Sequence, residues 1–578
     1  MSSGTSSTPP PPTPRTPRTV TARRLPLAGV LRPNRPSDIW FKPATSVVAS
    51  AAIPNLTLLA LGRLDLMMYT MAGSFCALYG HNLPYAARAR ALAGVVLGMW
   101  LSVAVALVAA SFLSSAVALV AIGALLAAAQ KTLCDATRIG PPGHLIFTFI
   151  SSASLFAPQS IGQVPGHLAL TLGAGAVAWI VGMAPVLVRP HGPERRATAR
   201  ALNAAAAYAE RPGHAPARGA AAAAVHAAWQ SLLATGARSA ARRALERLVV
   251  RAEVAIAAPG DTDAAQLRAW AAGLRGTGAV PRPARVAGMD DELLGVEAEL
   301  VGGGAPSLWR RIGPGSPLLP VALRTFVGCA LAGYASLALG IGRPYWALVT
   351  AASLYQANVT LTWNRGVQRV VGNLAGVLVF AAVVPLAHLA PLALVLCCMA
   401  FSFGAEALIT RNYWLGSLCV TPMALLVTEF ARFQEPAELI TDRVVDTLVG
   451  AVLGVVAAVI VTNRRAGDHI EKALTGVDTA RENAERTLAT AAPGATALET
   501  ARRSLVAALV ELRTATDTAA GEWWQRALPE ERVVAAERSG HRTLAATVRR
   551  QAPATARPVV ADTGDTAADP SGAREDRF

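Results

Sequence analysis

Charged residues are scarce in this chain. Asp, Glu, Lys and Arg make up 16% of its 578 residues, whereas hydrophobic residues make up 53%. Soluble globular domains carry about 25% charged residues. The mean hydropathy, +0.39, is correspondingly high. This composition excludes an ordinary soluble enzyme, because so many apolar side chains must face something other than water.

Lysine is rarer still, and this scarcity excludes one catalytic motif. It occurs only at Lys42, Lys131 and Lys472, and none of these follows a glycine. The chain therefore has no Walker A loop to hold nucleotide phosphates. It also has no His-Glu-x-x-His helix and no Gly-x-Ser-x-Gly elbow. We predict a protein that is not an enzyme and uses no cofactor. If it transports, an ion gradient drives it, unless a partner subunit supplies the energy.

Cysteine is also infrequent, with six residues in the chain. No pair has the spacing typical of a metal site, so we predict no metal. The neighbours Cys397 and Cys398 lie in an apolar run, where they are better interpreted as small helix residues than as a disulfide bridge.

Long apolar runs dominate what is present. Runs of roughly 18 to 22 nearly uncharged residues recur, and about 20 helical residues cross the hydrocarbon core of a bilayer. The sequence predicts an all-α, polytopic membrane protein with about twelve transmembrane helices in two duplicated halves. The predicted helices centre near Ala52, Met71, Val103, Ile122, Phe149 and Val177, and near Leu331, Ala351, Leu378, Val395, Leu418 and Val455.

The net charge of +16 is explained by where the cations lie along the chain. With the N-terminus inside, arginines and lysines follow every second predicted helix, whereas the opposite loops are almost free of cations. The longest of those outer loops, around Glu429 to Arg443, is acidic on balance. This distribution obeys the positive-inside rule. It predicts an inner (plasma) membrane protein with both termini in the cytoplasm, and it removes the reason to expect a nucleic-acid partner.

Composition divides the chain into five segments. One Ala- and Arg-rich stretch separates the two apolar halves, and another follows the second half. Leu and Trp recur in both stretches at helical spacing, so we predict that both are helical and cytoplasmic. The predicted segments are a disordered basic N-terminal tail (1–43), the first membrane half (44–190), a helical cytoplasmic segment (191–313), the second membrane half (314–463), and a helical cytoplasmic segment with a disordered tail (464–578).

An internal repeat supports the duplication. Gly94 and Gly98 in the first half correspond to Gly372 and Gly376 in the second, and each pair opens an apolar run after a basic loop. Small residues at this spacing allow helix backbones to approach closely. We predict that the four glycines pack helices together, either within one bundle or between subunits of a homo-oligomer.

Two groups of polar residues are candidate sites for an anionic substrate. Arg365 and Arg369 lie one helical turn apart at a predicted cytoplasmic boundary, where they can hold a carboxylate. The alternative is that they only set the topology. Arg343 lies at a predicted outer boundary beside Tyr345 and Trp346, and the alternative there is an aromatic belt.

Glu406 is an acidic residue near the predicted cytoplasmic end of the tenth helix. Ionisable groups inside a membrane are costly, which makes them candidates for function. Glu406 can accept a coupling proton, or it can pair with Arg411; the sequence leaves both readings open.

The second half resembles a known family. The stretch Arg343-Pro344-Tyr345-Trp346-Ala347, with Arg365, Gln368-Arg369, Gly372, Gly376 and Arg411-Asn412-Tyr413-Trp414, is similar to the fusaric acid resistance (FUSC) family, whose relatives include aromatic carboxylic acid exporters. The resemblance covers about residues 316–462, and in the first half only the Arg-Gly-Gly framework persists.

This resemblance implies an efflux transporter of small organic acids or toxic compounds, aromatic carboxylic acids among them. Its partners would be the lipid bilayer and a small organic anion, with a homo-oligomer or an accessory subunit left open. The alternative is a membrane scaffold or regulator that transports nothing and recruits partners through its cytoplasmic helices.

Overall fold

The computed structural model is helical throughout the residues that it describes, with no β-strand among them. It describes residues 27–34, 39–137, 139–234, 239–257, 259–281, 312–313, 316, 318–356, 358–430, 433–461, 466–490, 495–520 and 529–551. The predicted disorder of the N-terminal and C-terminal tails falls mostly on 1–26 and 552–578, which lie outside the described residues.

The first membrane half contains six helices. They are α1 (Phe41–Ala60), α2 (Met67–Ser74, flanked by single 3-10 turns), α3 (Tyr85–Phe112), α4 (Ala116–Thr137), α5 (Leu145–Leu155) and α6 (Val164–Met183).

Four helices follow in the segment that the sequence predicts to be cytoplasmic. They are α7 (Gly192–Ala209), α8 (Ala215–Ala234), α9 (Ala240–Ala257) and α10 (Ala264–Gly273). They enclose a core of their own that includes Trp229, Leu232, Leu245 and Leu248, which are buried as their helical spacing predicts.

The second membrane half again contains six described helices, and three more helices are described after it. The helices of the second half are α11 (Leu319–Ala338), α12 (Tyr345–Leu354), α13 (Val359–Ala387), α14 (Pro391–Ile409), α15 (Tyr413–Thr428) and α16 (Pro436–Ile460). The last three helices, in the second segment predicted to be cytoplasmic, are α17 (Ala466–Ala489), α18 (Ala495–Ala520) and α19 (Glu530–Gln551).

The two membrane halves share one pattern of helix lengths. Among the described residues, eight helices are long and apolar enough to cross a membrane, and four apolar helical segments are shorter. The order in both halves is long, short, long, long, short, long. A ten-residue helix such as α12 rises about 15 Å, roughly half of a hydrocarbon core. The polytopic all-α fold is therefore confirmed, while twelve full crossings remain a prediction.

The halves exchange contacts in a symmetric way. Helix α1 of the first half packs on α14 of the second, and α11 packs on α4 in return. The short helices meet between the halves, with α5 against α12 and α2 against α15. Close approach is visible at Gly333 of α11, where a Cβ atom would lie 2.7 Å from a methyl group of Val120 in α4. The ends of all four short helices thus converge at the centre of the bundle.

The two segments predicted to be cytoplasmic also contact each other. The Nη2 atom of Arg502 in α18 lies 2.7 Å from a carboxylate oxygen of Glu253 in α9, and both side chains are largely buried. The guanidinium of Arg503 stacks over the ring of Trp229 at 4.2 Å. A charged pair with little solvent around it fixes the register between two helical bundles, so these contacts join the segments.

Candidate functional site

A cavity of about 120 Å³ lies where the four short helices converge. Both halves contribute to its wall, with Phe75 from the turn after α2 and Phe149 from α5 facing Met423 of α15. Most of the lining is apolar. The polar and charged lining residues are Ser353, Arg369, Glu406, Tyr413, Ser417 and Arg443.

Local sequence explains how α15 reaches this cavity. Asn412 caps the helix by accepting a hydrogen bond from the backbone of Trp414, which ends the preceding turn and starts α15 at Tyr413. Helix α15 then lies against the glycines of α13. A Cβ atom at Gly372 would approach that of Ser417 to 2.6 Å, and one at Gly376 would approach that of Thr421 to 2.7 Å. Only glycine permits this approach, which places Tyr413 beside the arginines of α13.

The first-half glycines behave differently from each other. A Cβ atom at Gly98 would lie 3.2 Å from the ring of Phe147 in α5, which is the equivalent helix contact in the first half. A Cβ atom at Gly94 would meet nothing within 4 Å. Three of the four glycines chosen from the sequence therefore lie at tight contacts, and Gly94 faces open space.

Arg369 and Arg443 bring two guanidinium groups to the cavity. Arg369 is 6% exposed to solvent, and Arg443 is 1% exposed. Arg369 donates a hydrogen bond of 3.2 Å to the hydroxyl of Tyr413, but its Nε atom has no acceptor among the described residues. Arg443 leaves both Nε and Nη1 without an acceptor in that part of the chain. Buried N–H groups of this kind are costly unless something accepts from them.

Arg365 lies beside the cavity and not in its wall. Its guanidinium stacks over the ring of Tyr413 at 3.9 Å from the centroid. The two arginines that the sequence treats as one pair thus hold the same tyrosine in two ways, one through its ring and one through its hydroxyl.

Glu406 lies in the cavity wall on α14. Its carboxylate has neither an ion pair nor a hydrogen bond within the described ranges, and this includes the proposed pairing with Arg411. The interpretation of Glu406 as the partner of Arg411 is therefore not what the structure shows.

The predicted outer cluster adjoins the cavity through one aromatic ring. Arg343 forms an ion pair of 3.0 Å with Asp442 and contacts Gln434. Its guanidinium lies 5.3 Å from the ring centroid of Trp346, and that of Arg443 lies 5.2 Å from the same ring. Trp346 is fully buried, so a simple aromatic belt does not describe it.

Tyr345, the remaining member of that cluster, links the two halves. It is 7% exposed, and its ring stacks on Phe156 of the first half with a centroid distance of 5.8 Å. The cluster of Arg343, Tyr345 and Trp346 is thus an interior layer next to Arg443.

Sequence reasoning missed Arg443 and Asp446 as site residues. It placed Arg443 in an outer loop, whereas α16 begins at Pro436 and carries both residues into its buried face. Asp446 accepts a hydrogen bond of 2.6 Å from Ser336. The available signal was two opposite charges three residues apart at the start of an apolar run, a spacing that places them on one helix face.

A short N-terminal segment, residues 27–34, contacts the end of the site where α15 begins. The carbonyl oxygen of Val30 accepts hydrogen bonds from Gln368 at 2.8 Å and from Asn412 at 3.1 Å. The indole of Trp414 donates to the carbonyl of Leu31 at 3.0 Å. Three residues of the predicted family motif therefore bind this segment through its backbone.

The site contains no recognisable metal centre. Across the described ranges, no group of three or more His, Cys, Asp or Glu side chains has the arrangement needed to hold a metal ion. All six cysteines are free thiols. The polar lining instead includes arginine, tyrosine and serine side chains, which can donate hydrogen bonds.

Comparison with known proteins finds a family match in the second half. Residues 330–457 match the family described as fusaric acid resistance protein-like. The chain is also 26% identical over 470 residues to an uncharacterized membrane protein, YvaC, of Bacillus subtilis (strain 168), which covers 74% of this chain and 73% of that protein. No solved structure matches the chain.

The matched region contains the cavity residues Arg369, Glu406, Tyr413 and Arg443 together with the whole outer cluster. The resemblance predicted from the motifs is therefore confirmed over that region. The chain is a polytopic membrane protein whose second membrane half is similar to the fusaric acid resistance protein-like family.

Proposed function

We propose that this protein is a secondary transporter that exports small organic anions, aromatic carboxylates among them, through the cavity between its two halves. The observation that carries the proposal is the pair of buried guanidinium groups, Arg369 and Arg443, with N–H groups that lack acceptors among the described residues. A carboxylate supplies those acceptors and the compensating charge.

The size and the wall of the cavity support a small, partly apolar anion. Its volume of about 120 Å³ is that of about four water molecules in the liquid, at about 30 Å³ each. Phe75, Phe149 and Met423 give it an apolar side opposite the charged one. An aromatic acid has the same division between a charged group and an apolar ring.

The direction of transport is supported by how the two ends of the site differ. Tyr413 and Ile409 lie next to a loop that the cation distribution assigns to the cytoplasm, and they line the cavity. On the other side lies the buried layer of Trp346 and the Arg343–Asp442 ion pair. This arrangement suits a state loaded from the cytoplasm and closed toward the outside, at the interface between two duplicated halves.

We assign control of the anion affinity to a proton at Glu406, and we assign the driving force for export to the inside-negative membrane potential, which favours outward movement of an anion. The carboxylate shares the cavity wall with the two arginines, so its protonation changes the charge of the cavity by one. Binding of a proton leaves two cations without an acidic neighbour in the wall and favours the anion. Loss of the proton lets the carboxylate compete with the anion for the same guanidinium groups.

The test is export of radiolabelled benzoate from cells and its uptake into inside-out vesicles that contain the purified protein. Arg443→Gln should lower the rate about tenfold or more, since a charge-assisted hydrogen bond is lost. The matched control is Arg411→Gln, because Arg411 is exposed at the cytoplasmic end of α14 and lines no part of the cavity. Membrane abundance and elution in detergent establish that each variant folds.

Two results would overturn the proposal. Normal transport by a folded Arg443→Gln protein would remove the cavity from the pathway. Absence of transport for every carboxylate of a panel by the parent protein, in cells and in vesicles, would favour the scaffold. For the protonation step, Glu406→Gln should keep transport of the anion but lose the dependence of its apparent affinity on pH; an unchanged dependence would exclude Glu406.

A further inference from the structure

A second cavity, of about 590 Å³, lies at the opposite end of the first membrane half from its outer loops. It is bounded by the start of α1, the residues after α6, the first turns of α7 and the turn that follows α10. It shares no residue with the central cavity between the halves. Its cationic lining residues are Lys42, Arg189, Arg195, Arg196, Arg200 and Arg275.

Negative charge is missing from this wall. None of its lining residues is Asp or Glu. The acidic residue that adjoins it, Glu194, is buried beneath the wall and lies 4.0 Å from Nδ1 of His191. Lys42, Arg189, Arg200 and Arg275 have no side-chain hydrogen bond or ion pair with any residue that the structure describes. Burial and the charge of Arg189 both lower the pKa of Arg195, which reflects how closely the cations are placed.

The cavity has a fixed wall. Arg195 donates hydrogen bonds to three backbone carbonyls in the turn after α10: to Leu274 at 3.2 Å, to Gly278 at 2.8 Å and to Gly273 at 3.4 Å. These bonds tie that turn, which contains Arg275, to α7, which contains Arg200. Arg195 is thus used to build the wall, whereas Lys42, Arg189, Arg200 and Arg275 make no such bond to the described residues.

Topology alone does not require this arrangement. The positive-inside rule counts cations close to the membrane ends of helices, and it accounts for Lys42 and Arg189. Arg275 lies far along the soluble segment in sequence and comes to the cavity through the fold. Its convergence with cations from α1 and α6 on one cavity, without an acidic residue in the wall, points to a ligand.

We propose that this cavity binds an anion that carries phosphate, at the junction of the first membrane half and its cytoplasmic segment. Several guanidinium groups around one cavity match the oxygens of a phosphate group, to which arginine donates paired hydrogen bonds. The rim is apolar on the membrane side, where Phe41 and Val188 are 45% and 74% exposed. The phosphate can therefore belong to a lipid headgroup or to a soluble compound.

Occupancy would connect the cytoplasmic segment to the membrane bundle. The cations come from α1 and the end of α6 on one side and from α7 and the turn after α10 on the other. Without an anion, the cations on the two sides repel each other. An anion bound between them attracts both groups of cations. The bound ligand therefore strengthens the junction, and its loss loosens it.

The experiment uses the full chain in nanodiscs. Binding of inorganic pyrophosphate is measured by titration calorimetry in discs of neutral phosphatidylcholine, and thermal stability is compared between those discs and discs that contain phosphatidylglycerol. The test variant is Arg200→Gln with Arg275→Gln. The control is Arg243→Gln with Arg542→Gln, which removes the same charge from exposed positions outside the cavity.

We expect the test variant to lose about tenfold or more in pyrophosphate affinity, or to lose the stabilisation by phosphatidylglycerol, while the control retains both. Loss of the first effect assigns a soluble phosphate compound, and loss of the second assigns a lipid headgroup. Unligated melting equal to that of the parent establishes folding of the variant. The proposal would be overturned if pyrophosphate did not bind to the parent and phosphatidylglycerol did not stabilise it. It would also be overturned if both effects were the same for the test variant as for the control variant.

Discussion

The guanidinium of Arg369 donates its hydrogen bond to the hydroxyl of Tyr413, which begins the short helix α15. This contact joins a long helix to a short one at the wall of the central cavity. Arg365, one turn earlier, stacks on the face of the same ring. The two arginines therefore have separate tasks: Arg369 faces the cavity, and Arg365 fixes the aromatic ring.

The first prediction separates these tasks. Arg369→Lys keeps a positive charge but lacks the planar fork, so we expect correct insertion with export lowered about tenfold. Arg365→Lys should lower export less, because an ammonium group still interacts with an aromatic face. Export of benzoate, normalised to membrane abundance, measures both.

The double variants complete that comparison. If the arginines only set the topology, Arg365→Lys with Arg369→Lys should export like the parent, whereas the Gln pair should misinsert. A correctly inserted Gln pair that exports normally would contradict a role for these arginines in binding.

The second prediction concerns the approach of α13 to α15. Gly376→Leu places side-chain atoms where a Cβ already meets Thr421 at 2.7 Å and the carbonyl of Leu418 at 3.0 Å. Overpacking of this kind costs about 1–3 kcal/mol or more. We expect less folded protein in the membrane and a lower melting temperature in detergent.

Gly94→Leu is the control for that experiment, because a Cβ at Gly94 meets nothing within 4 Å. Equal melting of the Gly376→Leu protein and the parent would show that no tight interface exists at Gly376. If Gly94→Leu lowers the melting temperature as much as Gly376→Leu does, the result would instead indicate that Gly94 lies at an interface with another subunit.

The third prediction is the orientation in the membrane. Cations follow every second helix, so reporter fusions after Arg196 and after Arg465 should both show cytoplasmic activity. The four short helices make this test informative, because a segment that turns back inside the bilayer would change the side of everything after it. A periplasmic signal at either position would refute the predicted topology.

The fourth prediction concerns pH and the contact between the two segments predicted to be cytoplasmic. Burial and the nearby charge of Arg218 lower the pKa of His541 to about 4. In the unfolded chain the pKa of His541 is near its usual value. Between about pH 6.5 and pH 4, His541 therefore binds a proton in the unfolded chain but not in the folded protein. The contribution of neutral His541 to stability should be complete above about pH 6.5 and decline as the pH falls toward about 4.

Replacing His541 by Gln tests this dependence. The parent should lose up to about 3 kcal/mol of stability between pH 6.5 and pH 4 from this group, and His541→Gln should lose correspondingly less. Melting of the two proteins is followed across that range. Identical pH profiles would show that His541 is accessible to protons in the folded state.

Sequence periodicity was sufficient to predict the helical segments and their duplication, because hydropathy and glycine spacing are local properties of the sequence. Helix length was harder to predict. The apolar segments near Met71, Phe149, Ala351 and Leu418 form helices that end after 8 to 16 residues. Composition alone does not distinguish a short buried helix from a long lipid-facing one, since both are apolar.

The site was predicted in part for a related reason. Arg369 and Glu406 were chosen as charged residues close to apolar runs, and both line the cavity. Arg443 was assigned to a loop because it follows an acidic stretch, whereas the fold buries it. The contact of Arg369 with Tyr413 joins residues 44 positions apart, and only the packing of α13 on α15 creates it.

The segment of residues 27–34 imposes an order on biosynthesis. Its carbonyl at Val30 is bound by side chains that follow it by 338 and 382 residues in the chain. A ribosome completes Gln368 and Asn412 long after the segment has emerged, so these bonds form late. Until then the carbonyl of Val30 lacks these two donors, and docking of this segment requires that the second half has been made.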